Sequence, residues 1–235
     1  MSEYRDLLNE RQYEAVSSSS QFVRIVAGAG SGKTRVLTYR IAYLIGELGI
    51  YPENILAFAF TNKAAGEMKE RAIKLVPHAQ AHLRLSTFHS FCARFLRSEI
   101  GVLGFPSSFT IFDEDDQEKL LKNVAVELNY QKKDPIVKKA SSFIGGHKTD
   151  GRYSEDVILP DNASPEQKEL LKIFHLYEQR KTQQMALDFD DLLLRTIEIM
   201  ERFPKVREKW SKRFLHILID EFQDTNDVQY KFVKL

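Results

Sequence analysis

A glycine-rich run near the start of the chain has the residue types of a phosphate-binding loop. Residues 27–34 read Ala-Gly-Ala-Gly-Ser-Gly-Lys-Thr, between an apolar run and a helical pattern. Glycines let backbone N–H groups turn toward phosphate oxygens, the lysine reaches the outer phosphates, and the hydroxyl suits Mg²⁺. The alternative, a flexible glycine-rich turn, fits those flanking patterns less well. We predict a nucleotide site formed by Ala27, Gly28, Ala29, Gly30, Ser31, Gly32, Lys33, Thr34 and Arg35.

A group of acidic side chains follows the apolar run at residues 214–219, in the order Asp-Glu-Phe-Gln-Asp-Thr-Asn over residues 220–226. Ligands of parallel α/β sheets gather at the carboxyl ends of the strands, so these carboxylates are expected to face the glycine-rich loop. We predict that Thr34 and Asp220 bind Mg²⁺, with Asp220 acting through water. Glu221 would orient or deprotonate the attacking water while Lys33 compensates the phosphate charge. The alternative, an acidic cap on the following helix, suits Asp224 or Asn226.

Length and charge limit the classes of protein to consider. The chain has 235 residues, of which 43% are hydrophobic, enough for one sizeable core or for a core plus a small satellite domain. Its 34 basic and 33 acidic residues nearly cancel to a net charge of +1. The net charge therefore does not indicate a nucleic-acid-binding protein, and any surface that binds nucleic acid must be confined to one part of the chain.

Cysteine usage and hydropathy predict a cytoplasmic protein without a membrane partner. Cys92 is the single cysteine, which rules out an internal disulfide and makes a structural zinc site improbable. The N-terminus is charged where a secretory signal would be apolar. The longest apolar runs, such as residues 55–60, are too short to span a bilayer. Cys92 and Trp210 are interpreted as packing residues.

Short apolar runs alternate with helical patterns through the first hundred or so residues, which predicts βαβ units and a parallel sheet. Pro52 separates the first helix from the second strand, and Pro77 ends the second helix. The predicted strands are residues 22–26, 55–60, 83–86 and, late in the chain, 214–219, and the early helices are residues 36–48 and 63–76.

The segment from Asp113 to about Met185 has helical patterns rich in Lys, Glu and Gln, and no strand-like runs. It is predicted to be an all-helical insertion. Asp113 is expected to cap its first helix, with Asp116 and Gln117 in the first turn. Gly145-Gly146 and residues 160–165 are expected to break the insertion into separate helices.

Several further segments occur in a fixed order along the chain with the glycine-rich loop. They are Leu-Asn-Glu-Arg-Gln at 8–12 with Ala15, Phe-Thr-Asn-Lys-Ala-Ala at 60–65, Thr-Phe-His-Ser-Phe at 87–91, Asp-Phe-Asp-Asp-Leu at 188–192 and the acidic run at 220–226. In these motifs and their order, the chain resembles the UvrD/Rep/PcrA-like superfamily 1 DNA helicases from residue 8 to residue 226. Alanine at the position of Ala27 is common in such helicases.

The resemblance implies roles for residues that would be unremarkable alone. Gln12 would read the adenine, although on an amphipathic helix it is otherwise ordinary surface. Without the resemblance, Phe60 and Phe88 are equally well core residues, and His89 is a structural histidine. The implied single-stranded DNA contacts, at successive strand ends, are Phe60, Thr61, Asn62, Thr87, Phe88 and His89. Contacts to duplex DNA, or merely a solvated helix face, are expected of Lys132, Lys133, Lys138, Lys139 and Lys148.

The resemblance also implies a fold and a whole-protein activity. The expected fold is a RecA-like P-loop NTPase α/β domain, residues 1–112 and 187–235, interrupted by the helical insertion 113–186. ATP and Mg²⁺ would bind between this domain and a second RecA-like domain outside the chain, and ATP hydrolysis would drive 3′ to 5′ movement along one strand. The expected partners are single-stranded DNA and single-/double-strand junctions. Two alternatives are the helicase portion of an AddA/RecB-like helicase-nuclease and an ATP- and DNA-binding module without turnover.

Overall fold

The computed structural model describes residues 4–28 and 30–235, with helices and short parallel strands. The strands are β1 Ile55–Phe58, β2 Arg84–Ser86, β3 Thr110–Ile111, β4 Ala186–Leu187 and β5 His216–Ile219. The α-helices are α1 Glu10–Ser17, α2 Lys33–Gly46, α3 Asn62–Leu75, α4 Phe88–Glu99, α5 Glu114–Glu127, α6 Pro135–Thr149, α7 Pro165–Gln183, α8 Phe189–Arg202, α9 Pro204–Ser211 and α10 Asp227–Lys234.

A three-stranded parallel sheet in the order β2-β1-β5 confirms three of the four predicted strands. Phe58 is in register with Ser86 on one side and with Ile219 on the other, so the carboxyl ends of all three strands lie together. All four residues of β1 are buried, as expected for the central strand of a parallel sheet. Its core partners include Ile41 and Met68 from the flanking helices.

The predicted strand at residues 22–26 is wrong. These residues have no regular secondary structure, and the side chains of Phe22 and Val26 are 85% and 82% exposed. A strand is defined by its ladder of hydrogen bonds, and in the described part of the chain the sheet contains only β2, β1 and β5. Apolar composition indicates a tendency to be buried, but it does not supply the partner strand.

The predicted helical insertion contains α5, α6 and α7, which share a core with Val124, Ala140 and Phe174 at its centre. At its two ends β3 and β4 pair in parallel, with Ile111 opposite Leu187. The Asp113 carboxylate accepts from the N–H of Asp116, which confirms the predicted N-cap.

The predicted helix break at Gly145-Gly146 is wrong, because α6 continues through both glycines to Thr149. A glycine inside a helix costs about 1 kcal/mol relative to alanine. Burial of Ile136, Val137 and Ile144 on one face of α6 outweighs that cost.

Contacts divide the described chain into two compact units whose limits differ from the predicted boundaries at 112/113 and 186/187. One unit contains the described residues up to Ser90 together with Glu208–Thr225, and the other contains Phe91–Arg207 and Asn226–Leu235. The difference arises because α8 and α10 pack together, with Lys231 paired to Glu201 at 2.8 Å. No helix in the described ranges is long and apolar enough to cross a membrane.

A buried ionic cluster joins α6, α7 and α8, and it corrects the expectation that Lys148 belongs to a DNA-facing or solvated surface. The Lys148 ammonium lies 2.6 Å from Asp188 Oδ2, 2.8 Å from Asp191 Oδ1 and 2.9 Å from Glu178 Oε1. Lys181 contacts the same three carboxylates at 2.6–2.8 Å. Lys148 can be buried because these carboxylates neutralise its charge. They lie 30 or more positions further along the chain, so the sequence near Lys148 does not indicate them.

Candidate nucleotide site and nucleic-acid face

The glycine-rich loop ends where α2 begins, and positive backbone angles make two of its glycines necessary. Gly30 has φ of 73° and Gly32, the N-cap of α2, has φ of 90°. A side chain at either position would be strained. A Cβ at Gly32 would also lie 3.1 Å from Gln12 Nε2. The predicted role of Ala29 falls outside the described residues.

Lys33, the first residue of α2, folds back over the loop. Its ammonium donates to the carbonyls of Ala27 and Gly28, at 3.2 and 3.3 Å. The Ser31 hydroxyl donates to the Gly28 carbonyl at 2.7 Å. The lysine therefore supplies a positive charge directly beside the loop backbone, where a phosphate would be bound.

Gln12 lies against the loop, although it is distant in sequence. Its Nε2 donates to the Ser31 carbonyl at 3.2 Å, while its Oε1 accepts from the Asn9 N–H at 3.1 Å. The second bond is half of a capping box that begins α1. The structure thus brings Gln12 to the loop, and adenine recognition by its amide stays a prediction.

Arg35 extends toward the N-terminal segment. Its guanidinium donates to the Leu7 carbonyl at 2.7 Å and lies 5.3 Å from the centre of the Tyr39 ring. These contacts attach the segment before α1 to α2. A nucleotide contact by Arg35 stays a prediction.

Thr34 and Asp220 meet at the carboxyl edge of the sheet. The Thr34 hydroxyl donates to Asp220 Oδ2 at 3.4 Å, and the Asp220 N–H continues the ladder by donating to the Phe58 carbonyl at 2.9 Å. Burial raises the pKa of the Asp220 carboxyl, while the N–H of Glu221 opposes that shift. A hydroxyl and a carboxylate this close are hard oxygen donors of the kind that Mg²⁺ prefers, so the pair fits the predicted ion.

Glu221 has a left-handed backbone with φ of 48°, which is uncommon for a residue other than glycine. Its N–H donates to Asp220 Oδ1 at 3.1 Å, and its carboxylate accepts from the Gln223 side-chain amide. Strained residues of this kind cost about 1–3 kcal/mol and concentrate at functional sites. Gln223 was missed from the sequence, where only its place within the acidic motif could have indicated it.

The residues after β1 form one part of the predicted nucleic-acid face. Phe60 is 63% exposed, and Asn62, the first residue of α3, is exposed as well. The Thr61 hydroxyl accepts from the Ala64 N–H at 3.1 Å and so caps α3. Thr61 therefore has a structural role in addition to any contact with DNA.

The residues after β2 are mostly buried. Phe88 stacks on Phe58 with ring centroids 4.1 Å apart, which places it in the core, one of the two alternatives that its sequence allows. Thr87 is buried, and its hydroxyl donates to Ser90 Oγ at 2.9 Å. Burial lowers the pKa of His89, which favours the neutral form of its imidazole. Ser90 was not among the predicted site residues.

Four of the five lysines proposed for duplex contact are exposed on or near α6. Lys139 pairs with Glu166 across the helical bundle. Exposure is compatible with both DNA contact and simple solvation, so duplex contact stays a prediction for Lys132, Lys133, Lys138 and Lys139.

Comparison with known proteins agrees with this arrangement. Residues 8–235 match the family described as the UvrD/REP helicase N-terminal domain. The chain is 41% identical to ATP-dependent DNA helicase PcrA of Staphylococcus aureus over 235 residues, covering 97% of this chain and 31% of that protein. It is 41% identical over 228 residues to the protein of the same name from Staphylococcus epidermidis, with the same coverage. The chain thus spans 31% of the length of these relatives, and it belongs to the UvrD/REP helicase N-terminal domain family.

Proposed function

We propose that this chain is the ATP-binding motor segment, with a RecA-like fold, of a DNA helicase that moves 3′ to 5′ along single-stranded DNA. The observation that carries the proposal is the convergence of Gln12, Lys33, Thr34, Asp220 and Glu221 around one loop at the carboxyl edge of a parallel sheet. The family supports the same reading, because its relatives are named ATP-dependent DNA helicases.

Each residue of the nucleotide site has a distinct task. Loop N–H groups and Lys33 hold the phosphates, and Gln12, which is hydrogen-bonded to the loop, reads the adenine. Thr34 and Asp220 would hold Mg²⁺, which when bound neutralises charge between the phosphates. Glu221 orients a water molecule and accepts its proton as the water oxygen bonds to the terminal phosphorus, whose bond to the bridging oxygen breaks and releases ADP.

The nucleic-acid face lies at the same edge of the sheet, where β1 and β2 end side by side. Exposed Phe60 offers an aromatic face to a base, and Thr61, Asn62 and His89 offer hydrogen-bonding groups. Phe88 supports this face from the core. Single-stranded DNA and its junctions with duplex are the proposed ligands.

A second RecA-like domain is proposed to complete the motor. The family resemblance implies that it closes the nucleotide cleft and supplies an arginine to the transferring phosphoryl group. Two other functions share this site: the helicase portion of a helicase-nuclease, and a binding module without turnover. Assaying DNA-stimulated ATP hydrolysis and nuclease activity in a protein of the relatives' full length separates them.

The decisive test of the nucleotide site is Lys33→Ala. Loss of the ammonium leaves the outer phosphates uncompensated, and we expect DNA-stimulated ATP hydrolysis by the full-length protein to fall by at least about 10²-fold. Lys74→Ala, which removes an exposed lysine of α3, is the matched control and should retain activity. Circular dichroism checks that both variants fold. Unimpaired turnover in folded Lys33→Ala protein would overturn the assignment.

A further inference from the structure

A chain of hydrogen bonds connects the start of α4 to the start of α3. The Ser90 N–H donates to Thr87 Oγ1 at 3.2 Å, and the Thr87 hydroxyl donates to Ser90 Oγ at 2.9 Å. The Ser90 hydroxyl in turn donates to Asn62 Oδ1 at 3.1 Å. A longer contact of 3.4 Å joins Thr87 Oγ1 directly to Asn62 Oδ1.

The first of these hydrogen bonds determines which hydroxyl donates to which oxygen. A backbone N–H can only donate, so Thr87 Oγ1 accepts from Ser90 and has its own proton left to give. With that proton on Ser90 Oγ, the Ser90 proton points to Asn62. The partner of that proton is the carbonyl oxygen of the Asn62 side chain.

This arrangement orients the other half of the amide. Asn62 is exposed, and its side-chain amide is planar, so the NH₂ group lies on the side opposite the hydroxyls. An NH₂ group can donate and cannot accept. It therefore suits an anionic oxygen better than a base edge that offers donors.

We propose that Ser90 is a positioning residue for DNA binding, acting with Thr87 to hold the Asn62 amide as a donor to a phosphate oxygen of the bound strand. The inference rests on the proposed function and deepens it. Phosphate is the matching group because a motor that moves along any sequence must contact the repeating backbone. Thr87, which is buried, acts through Asn62 rather than on DNA.

Affinity for single-stranded DNA tests this inference. The probe is a fluorescein-labelled oligothymidylate, titrated against the full-length protein and its variants. Ser90→Ala should weaken binding about 3- to 10-fold, the size of one net hydrogen bond. Ser90→Thr keeps the hydroxyl and should restore most of the affinity. Ser98→Ala, an exposed serine on the same helix outside this chain of bonds, is the matched control and should bind as the unmodified protein does.

A double-mutant cycle separates action through Asn62 from direct contact. In an Asn62→Ala background, Ser90→Ala should cause no further loss, because the group that it positions is gone. Since the amide is uncharged, the slope of log affinity against log salt should stay the same in every variant. Additive losses, or loss of affinity in Ser90→Thr equal to that in Ser90→Ala, would overturn the inference.

The result also distinguishes this inference from the proposed function. Unmodified protein that fails to bind the oligonucleotide would overturn both. Unmodified protein that binds, with Asn62→Ala or Ser90→Ala binding equally well, would overturn only the role of Ser90.

Discussion

Glu221 has a backbone conformation that few glutamates adopt, and that conformation explains how neighbouring carboxylates can have separate tasks. The left-handed turn at φ of 48° comes directly after Asp220, whose carboxylate is held by Thr34 and by the N–H of Glu221. The two carboxylates have different partners, because Asp220 contacts Thr34 and Glu221 contacts Gln223. This separation suits the tasks proposed for them, binding of a metal ion by Asp220 and of a water molecule by Glu221.

Replacing Glu221 by glutamine should separate nucleotide binding from hydrolysis. The amide keeps the shape of the side chain but cannot accept the proton of the attacking water. In the full-length protein we expect turnover to fall by at least about 10²-fold, with nucleotide affinity changed only a few-fold. Stopped-flow binding of a fluorescent ATP analogue and a coupled ATPase assay measure the two quantities. Near-normal turnover would point instead to Asp224, and Asp224→Asn is the comparison variant.

The Cys92 thiol is expected to be unreactive toward thiol reagents in the folded protein. Burial raises the pKa of its thiol to about 12, although a hydrogen bond with Thr196 opposes the shift. The reactive thiolate is then on the order of 10⁻⁴ of the population at pH 8. An aromatic disulfide reagent should label the chain only when denaturant is added. Rapid stoichiometric labelling without denaturant would show that Cys92 is accessible.

At the scale of the elements, the buried ionic cluster fixes how α6, α7 and α8 pack. Burial by itself would lower the pKa of both lysines, but three carboxylates outweigh it and raise both pKa values. The two lysines hold the pKa of Asp191 well below its ordinary value. The stability that Asp191 contributes is therefore fully present at neutral pH and is lost progressively as pH falls below the ordinary pKa of an aspartate.

Asp191→Asn should destabilise the chain, because Asp191 contacts both buried ammonium groups and a neutral amide removes both of those ion pairs. Breaking a buried ion pair from one side costs about 3–5 kcal/mol. Urea denaturation, followed by circular dichroism, measures the free energy of unfolding. Glu118→Gln is the control, since it breaks an exposed pair with Lys122 and should cost less than about 1 kcal/mol. Equal effects of the two substitutions would contradict the role given to the cluster.

At the scale of the whole molecule, the proposed catalysis needs more than the nucleotide-binding segment. The proposed site has a lysine, the Thr34–Asp220 pair proposed for Mg²⁺ and the Glu221 carboxylate, while the resemblance assigns the remaining cation to a second domain. Such an arginine contributes roughly 10³ to 10⁵ in rate in other P-loop enzymes.

Residues 1–235 alone should therefore bind ATP-Mg weakly, hydrolyse it more slowly than a protein of the relatives' full length by about 10³ to 10⁵, and unwind no DNA. A coupled ATPase assay and strand displacement on 3′-tailed duplex, run on both proteins, measure the difference. Robust DNA-stimulated turnover by residues 1–235 would show that the arginine comes from another copy of the chain or that catalysis does not require it.

Local features of this protein were determined by the sequence alone. The glycines before α2 and the Asp113 and Asn226 caps each depend on neighbouring residues, and the structure has all of them. Backbone conformation, capping and side-chain periodicity act over a few positions, so a sequence pattern can report them.

Tertiary structure decided the features whose partners are distant in the chain. Lysine is usually a surface residue, yet Lys148 is buried, and its charge is paired with carboxylates 30, 40 and 43 positions later in the chain. Residues 22–26 have the apolar composition of a strand but no hydrogen-bonded partner strand. Helix α6 continues through two glycines because one of its faces is buried. Ser90 meets Asn62 only because β1 and β2 end side by side. Burial and hydrogen bonding of these groups depend on which segments meet, and a linear pattern does not contain that information.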